Sequence, residues 1–258
     1  MSLQDQVVLV TGSSRGLGLT IAKAFHNEGA KVVLNYFKKT EFYMQVLAEN
    51  LGFDTGNHLS FQADVTDANQ VQELFRAAER HFGRPISCVV NNAMVGDFAF
   101  NGDARPKVSD LTWSNFDVQL QGFLRGALNT TQAALPGFEK LGYGRIINIG
   151  SNLFQNPVVP YHDYTAAKGA LLAFTRTCAA DLGPKSVTVN MVSAGLLQIT
   201  DASASTPKEV FDHIKAVTPL RKVTTAEDVA GAVLFFASPW ARAVTGQQIV
   251  VDGGLVMN

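Results

Sequence analysis

Two tyrosines, a histidine, an aspartate and a lysine crowd into the ten residues YHDYTAAKGA at 161–170. Tyr164 and Lys168 stand four apart, so on a helix they share one face. A free phenol titrates near pH 10, too high to trade protons readily at neutrality. A lysine ammonium beside it favours the phenolate and brings the phenol toward the working range. Thirteen residues before Tyr164, Ser151 ends the run RIINIGS. Tyr161 is seven residues from Lys168, about two turns, too far for direct coupling, and becomes a candidate pocket wall. Asp163 is a candidate helix cap. His162 and Asp163 do not make a hydrolase triad with Ser151. The serine lacks a G-x-S-x-G elbow, and adjacent helical residues point in different directions.

A second group of residues suits an anion. TGSSRGLG places Gly12, Gly16 and Gly18 between the apolar run VVLV and a helical pattern. Glycines there let the chain turn tightly and let a pyrophosphate approach amide N–H groups at a helix start. The spacing is G-x-x-x-G-x-G, not the commoner G-x-G-x-x-G of dinucleotide folds. In many such folds an acid at the end of the second strand holds the ribose 2′-hydroxyl. Here that strand ends LNYFKK, with Asn35 and no carboxylate, while Arg15 and Lys38 offer positive charge to a 2′-phosphate. NADP(H) is therefore expected in preference to NAD(H).

These residues need a frame to converge. Runs at 7–10, 31–36, 59–62, 86–90, 145–149, 187–192 and 247–251 are short, β-branched and apolar throughout, as strands covered on both faces are. Between them lie amphipathic segments, one with Leu17, Ile21 and Phe25. Another carries Val71, Leu74, Phe75, Ala78 and Phe82 behind the capping candidates Thr66 and Asp67. Alternating strand and helix predicts an α/β fold: a doubly wound, parallel seven-stranded sheet of Rossmann type with helices on both faces. With no linker and no repeat, residues 1–258 read as a single dinucleotide-binding catalytic domain, with a substrate lid expected at 196–218. A net charge of −1 without a basic block gives no sign of nucleic acid or an anionic membrane as partner. Cys88 and Cys178 sit among apolar residues and read as buried thiols of a reducing compartment. MSLQDQVVLV has neither a basic start nor a long apolar run, so no signal peptide or membrane span is expected and the expected location is cytoplasmic. No metal site is expected.

Taken together, TGSSRGLG, ADVTD (63–67), NNA (91–93), the Ser151, Tyr164 and Lys168 spacing and the tail VTGQQIVVDGG resemble the short-chain dehydrogenase/reductase family. The resemblance is to its classical branch, and is similar to the bacterial 3-oxoacyl-acyl-carrier-protein reductases. It implies that Tyr164 donates a proton to a carbonyl oxygen while a nicotinamide delivers hydride to the carbon. Lys168 would hold the nicotinamide ribose and Ser151 the carbonyl oxygen. It implies cofactor contacts from Gly12, Ser14, Arg15, Gly16, Leu17 and Gly18, from Asn35 and Tyr36, from Asp64 and Val65, and from Asn91, Ala93 and Gly195. Tyr161 and Leu196 would meet substrate, with Leu197 and Ile199 adding apolar lining.

The implied activity is NADPH-dependent reduction of a 3-oxoacyl thioester, linked to acyl-carrier protein or CoA, as in fatty acid biosynthesis. The alternatives are another ketone or secondary alcohol, or a cofactor-binding redox sensor without turnover. Acyl-carrier protein is acidic, and Arg125, Lys140, Arg145 and Arg176 are candidates for a docking patch. The resemblance also implies a homotetramer assembled through the Tyr164 helix and the terminal strand. Three features depart from the family pattern. Met94 follows NNA, Ala194 precedes Gly195, and the asparagine of the helix before the serine strand has no evident counterpart. Gln119 falls there if a helical turn is inserted and Phe123 if no gap is allowed; Asn129 fits neither.

Overall fold

Seven apolar runs become strands because each can bury both faces. They are β1 (Val7–Val10), β2 (Lys31–Tyr36), β3 (His58–Gln62), β4 (Cys88–Asn91), β5 (Gly144–Ser151), β6 (Val187–Ala194) and β7 (Gln248–Val251). This computed structural model describes residues 2–50, 52–53, 56–94, 105–198, 200 and 203–257, without the side chains of Phe42 and Val46. All pairings are parallel, in the order β3-β2-β1-β4-β5-β6-β7. The expected seven-stranded, doubly wound sheet is the one observed. The order reverses beside β1, and the crevice at the carboxyl ends of β1 and β4 is where such sheets bind ligands.

Helices α1 (Gly16–Asn27), α2 (Glu41–Asn50) and α8 (Ala226–Ala237) cover one face. Val8 and Val10 of β1 meet Ile21, Phe25, Met44 and Phe236 there. Val7 and Leu9 point the other way, into a core with Leu74, Phe138 and Leu182. Those three come from α3 (Ala68–Phe82), α5 (Gly126–Leu141) and α6 (His162–Leu182). Asp67, rather than Thr66, caps α3, accepting from the amides of Asn69 at 2.8 Å and Gln70 at 3.2 Å.

Two features bear on the site. Helix α4 (Trp113–Leu120) runs into α5 through a single wider turn, Gln121–Arg125, with π-helical bonding. Such one-turn bulges re-aim side chains and recur at functional sites. The expected lid contains α7 (Lys208–Val217), and its root is fixed: Leu197 bridges Thr224, and the Gln198 amide donates to the Thr224 carbonyl at 2.9 Å. Ile199, Asp201 and Ala202 lie outside the described residues. Cys88 is buried, Cys178 half-buried, and both are free. Among the described residues no helix is long and apolar enough to cross a membrane, and no cluster of side chains is suited to a metal.

Candidate active site

The glycine loop is shaped from behind. Gly12 has φ +63°, and a Cβ there would lie 2.9 Å from the Ala93 Cα. A Cβ at Gly18 would lie 2.5 Å from both the Asn92 amide nitrogen and the Gly12 carbonyl oxygen. Both glycines are therefore demanded by close packing of the loop on the end of β4. The Thr11 hydroxyl accepts from the amides of Asn92 and Ala93, each at 2.9 Å, and Asn92 Nδ2 donates to the Thr11 carbonyl at 2.9 Å. Gly16 differs. It opens α1 with φ +53°, and a Cβ there would meet nothing within 4 Å. Among the described residues no side chain caps α1 and its first turn has no acid, which suits the helix start to a pyrophosphate. A cleft of about 290 Å³ adjoins this point, lined by Gly16 and Thr20 and by Gln198, Thr200 and Glu227 near the lid root. A dinucleotide fits these residues. Ser14, Leu17 and Gly195 are half-buried around the loop and the end of β6, and Arg15 is exposed at its tip.

Several expected contacts sit deeper than the sequence suggested. Asn35 is only 2% exposed. Its Oδ1 accepts from the Gly12 amide at 3.1 Å, and its Nδ2 donates to the Ala63 carbonyl at 3.0 Å. The side chain is spent on holding the loop, so Asn35 supports the cofactor site from within. Tyr36 is buried beside it, and burial raises its phenol, reinforced by Glu41. The exposed residues at the end of β2 are Phe37 and Lys38. Asn91 is likewise committed: it donates to Asn148 Oδ1 at 2.9 Å and accepts from the Thr130 hydroxyl at 2.7 Å. Asn148 in turn donates to Thr175 at 2.8 Å, so one buried polar chain links α5, β4, β5 and α6. Asp64 accepts from both the amide and the hydroxyl of Thr66 at 2.8 Å, and the Val65 carbonyl accepts from Asn129 at 2.9 Å. Asn129 thus braces the ADVTD turn.

Ser151, Tyr164 and Lys168 do converge. Ser151 ends β5, Tyr164 and Lys168 share the inner face of α6, and each is at most 6% exposed. Tyr164 and Ser151 are hydrogen-bonded. Burial pushes the Tyr164 phenol up to about 12, and the Ser151 bond draws it back only in part. Burial brings the Lys168 ammonium down to about 7. The expectation that Lys168 lowers the phenol is overturned in this arrangement. Lys168 Nζ donates to the Ile149 carbonyl at 2.6 Å, and burial is the largest cause of the shift in both groups. Nζ also lies 3.6 Å from the centroid of the Phe123 ring. Phe123 stands at the middle of the π turn, edge-on to Tyr164 at 5.6 Å. Of the two alignments of the missing asparagine, it is Phe123 that reaches Lys168. Gln119 lies one turn earlier, buried, with its Oε1 unpartnered among the described residues.

Asp163 lies in the first turn of α6 but caps nothing. It is ion-paired with Arg105, with the Asp163 side chain 4% and that of Arg105 15% exposed. Tyr161 is 5% exposed, with the Arg105 guanidinium 5.9 Å from its ring centroid, so it packs in the apolar cluster around Tyr164. Met94 is exposed at the end of the NNA turn. Leu197 is buried while Leu196 is half-buried. Arg145 does not belong to a surface patch: it is 6% exposed and donates to the Gly144 carbonyl at 2.8 Å. Asn152, just after Ser151, donates to Asp252 at 2.9 Å. That carboxylate also accepts from the amides of Gly254 and Val256 at 3.0 Å each, fastening the C-terminal turn beneath the site. Thr11, Asn92 and Asp252 fall within the motifs TGSSRGLG, NNA and VTGQQIVVDGG, which did not reveal their bracing roles, and no sequence pattern pointed to Arg105.

Comparison with known proteins agrees with this geometry. A family model described as enoyl-(acyl carrier protein) reductase matches residues 12–256. The chain is 33% identical to a 3-oxoacyl-[acyl-carrier-protein] reductase of Pseudomonas aeruginosa, over 100% of both chains. It is 34% identical to the versicolorin reductase of Emericella nidulans, over 98% of this chain and 96% of that one. A solved short-chain dehydrogenase/reductase from Brucella melitensis, titled a glucose/ribitol dehydrogenase, superposes with a TM-score of 0.85 at 25% identity, over 98% of this chain and 97% of the other. With its parallel sheet, its glycine loop and its Ser151, Tyr164 and Lys168 in one buried cluster, the chain belongs to the short-chain dehydrogenase/reductase family of oxidoreductases.

Proposed function

We propose that this oxidoreductase is an NADPH-dependent carbonyl reductase whose substrate is a 3-oxoacyl thioester, carried by acyl-carrier protein or CoA. The observation that carries the proposal is the buried, hydrogen-bonded Ser151–Tyr164 pair with Lys168 one turn away. When bound, the reduced nicotinamide supplies hydride to the carbonyl carbon. Tyr164, with its phenol held protonated by burial, gives the proton to the carbonyl oxygen. Ser151 hydrogen-bonds that oxygen as its charge grows. Lys168 is fixed by the Ile149 carbonyl and holds positive charge beside the phenol.

The exposed Arg15 and Lys38 favour a 2′-phosphate. The likeness to the Pseudomonas enzyme supports the acyl thioester, and the half-buried Leu196 suits an apolar chain. Exposed Arg125 and Arg176 are the docking candidates that remain; Lys140 is engaged with Glu79. A homotetramer and a cytoplasmic location belong to the same proposal, with half-exposed β7 at the sheet edge as one contact. The test is turnover on a panel of acetoacetyl thioesters and simple ketones, with NADPH and NADH side by side. Reduction of the thioesters with NADPH, abolished by Tyr164→Phe, is expected. Preference for NADH or for a non-acyl ketone corrects the substrate or cofactor. No turnover on any ketone with cofactor still bound favours a sensor.

A further inference from the structure

The contact between Phe123 and Lys168 has a consequence for proton traffic. Nζ has its bond to Ile149 on one side and the ring centroid at 3.6 Å on another. That separation is direct cation–ring contact, with no room for a water between them. A benzene ring attracts a cation but neither takes nor passes on an exchangeable proton, and a peptide carbonyl accepts a hydrogen bond without accepting the proton. The wider turn at Gln121–Arg125 brings the ring here, with Phe123 itself 6% exposed. Among the described residues the ionisable group facing Lys168 is the Tyr164 phenol of its own helix. Strand β5 contributes the Ile149 carbonyl, the π turn contributes Phe123, and burial alone sets the titration of the ammonium.

We propose that Phe123 is a positioning residue that seals Lys168 from the α4–α5 side, so that Tyr164 is reprotonated from the substrate cleft. The proposal rests on the reductase function above. In each reduction the carbonyl carbon gains hydride, the carbonyl oxygen gains the Tyr164 proton, and Tyr164 is left as phenolate. A proton must then return to that oxygen, and the acid that supplies it is water or a small buffer acid entering through the cleft. A buffer acid small enough to reach Tyr164 by the path the substrate takes speeds turnover.

Two measurements test this. The first titrates Lys168 by NMR of ¹³Cε-labelled lysine, without turnover, in the wild type and in Phe123→Leu. Loss of the aromatic face is expected to lower the lysine's midpoint by roughly half a unit to one unit. The second follows steady-state ketone reduction at fixed pH and ionic strength as imidazole is raised. The wild-type rate is expected to climb about two- to fivefold, and Phe123→Asn, which offers a hydrogen-bonding group in place of the ring, to lose that dependence. A Lys168 midpoint unmoved in Phe123→Leu overturns the proposal, as does a wild-type rate indifferent to imidazole. The wild-type arm needs no variant to fold. If no ketone is turned over at all, the reductase function fails instead, and the titration alone decides whether Phe123 governs Lys168.

Discussion

Asn35 is bonded to Gly12: its Oδ1 takes the glycine amide at 3.1 Å while its Nδ2 reaches the Ala63 carbonyl at 3.0 Å. One buried amide thereby ties the first loop to the ends of β2 and β3. Asn35→Ala strands a donor and an acceptor inside the protein, which costs about 2–4 kcal/mol. Urea unfolding is expected to show that loss, and fluorescence titration to show cofactor affinity weakened about tenfold. A variant with full stability and weakened binding would mean that Asn35 touches the cofactor directly.

Lys168 carries a pH signature. Its folded midpoint, about 7, lies below the 10.5 of a free lysine, so the unfolded chain binds the extra proton between those values. The resulting destabilisation is complete below pH 7 and fades as pH rises toward 10.5. Lys168→Met is expected to be inactive yet more stable than the parent at pH 7, by on the order of 1–3 kcal/mol. Thermal melts of the two proteins should converge as pH is raised. In the parent, ketone reduction should decline above pH 7 or so as the ammonium discharges.

Arg105 and Asp163 form a buried ion pair next to Tyr164. Arg105→Ala leaves the carboxylate without its cation and should cost about 3–5 kcal/mol. The double change Arg105→Met with Asp163→Leu should recover most of that stability by replacing both charges with apolar volume. Chemical denaturation of the two variants measures the difference, and equal losses in both would refute it.

The proposed preference for NADPH rests on two exposed cations, Arg15 and Lys38. Arg15→Ala and Lys38→Ala should each raise KM for NADPH by roughly tenfold, the worth of a charge-assisted hydrogen bond, and leave KM for NADH nearly unchanged. Parallel kinetics with the two cofactors will show it.

The strands were legible because continuous apolar, β-branched runs have no other stable home. Helical spacing paired Tyr164 with Lys168, and the family resemblance added Ser151 at a strand end. The remainder was hidden for identifiable reasons. β2 is buried on both faces, so alternation could not say that Asn35 points inward. A wider helical turn leaves no mark in composition, so Gln119 and Phe123 stayed equal candidates until α4 and α5 were seen to join at residues 121–125. Arg145 was placed on the surface because a charged side chain is seldom buried. Arg105 and Asp163 are 58 residues apart, and nothing in either neighbourhood announces the other.

The bond from Asn152 to Asp252 spans 100 residues. A chain emerging from the ribosome presents Ser151 and Tyr164 long before Asp252 exists to brace the segment beside them. The glycine loop and β1, β2, β4 and β5 have sequence in hand to assemble early, yet the floor beneath the serine waits for the last strand and its turn. Nascent or C-terminally clipped chains should therefore carry a formed nucleotide crevice with an unfinished reaction chamber. Synthesis of the segment that carries Asp252 then becomes the step that completes the floor beneath Ser151.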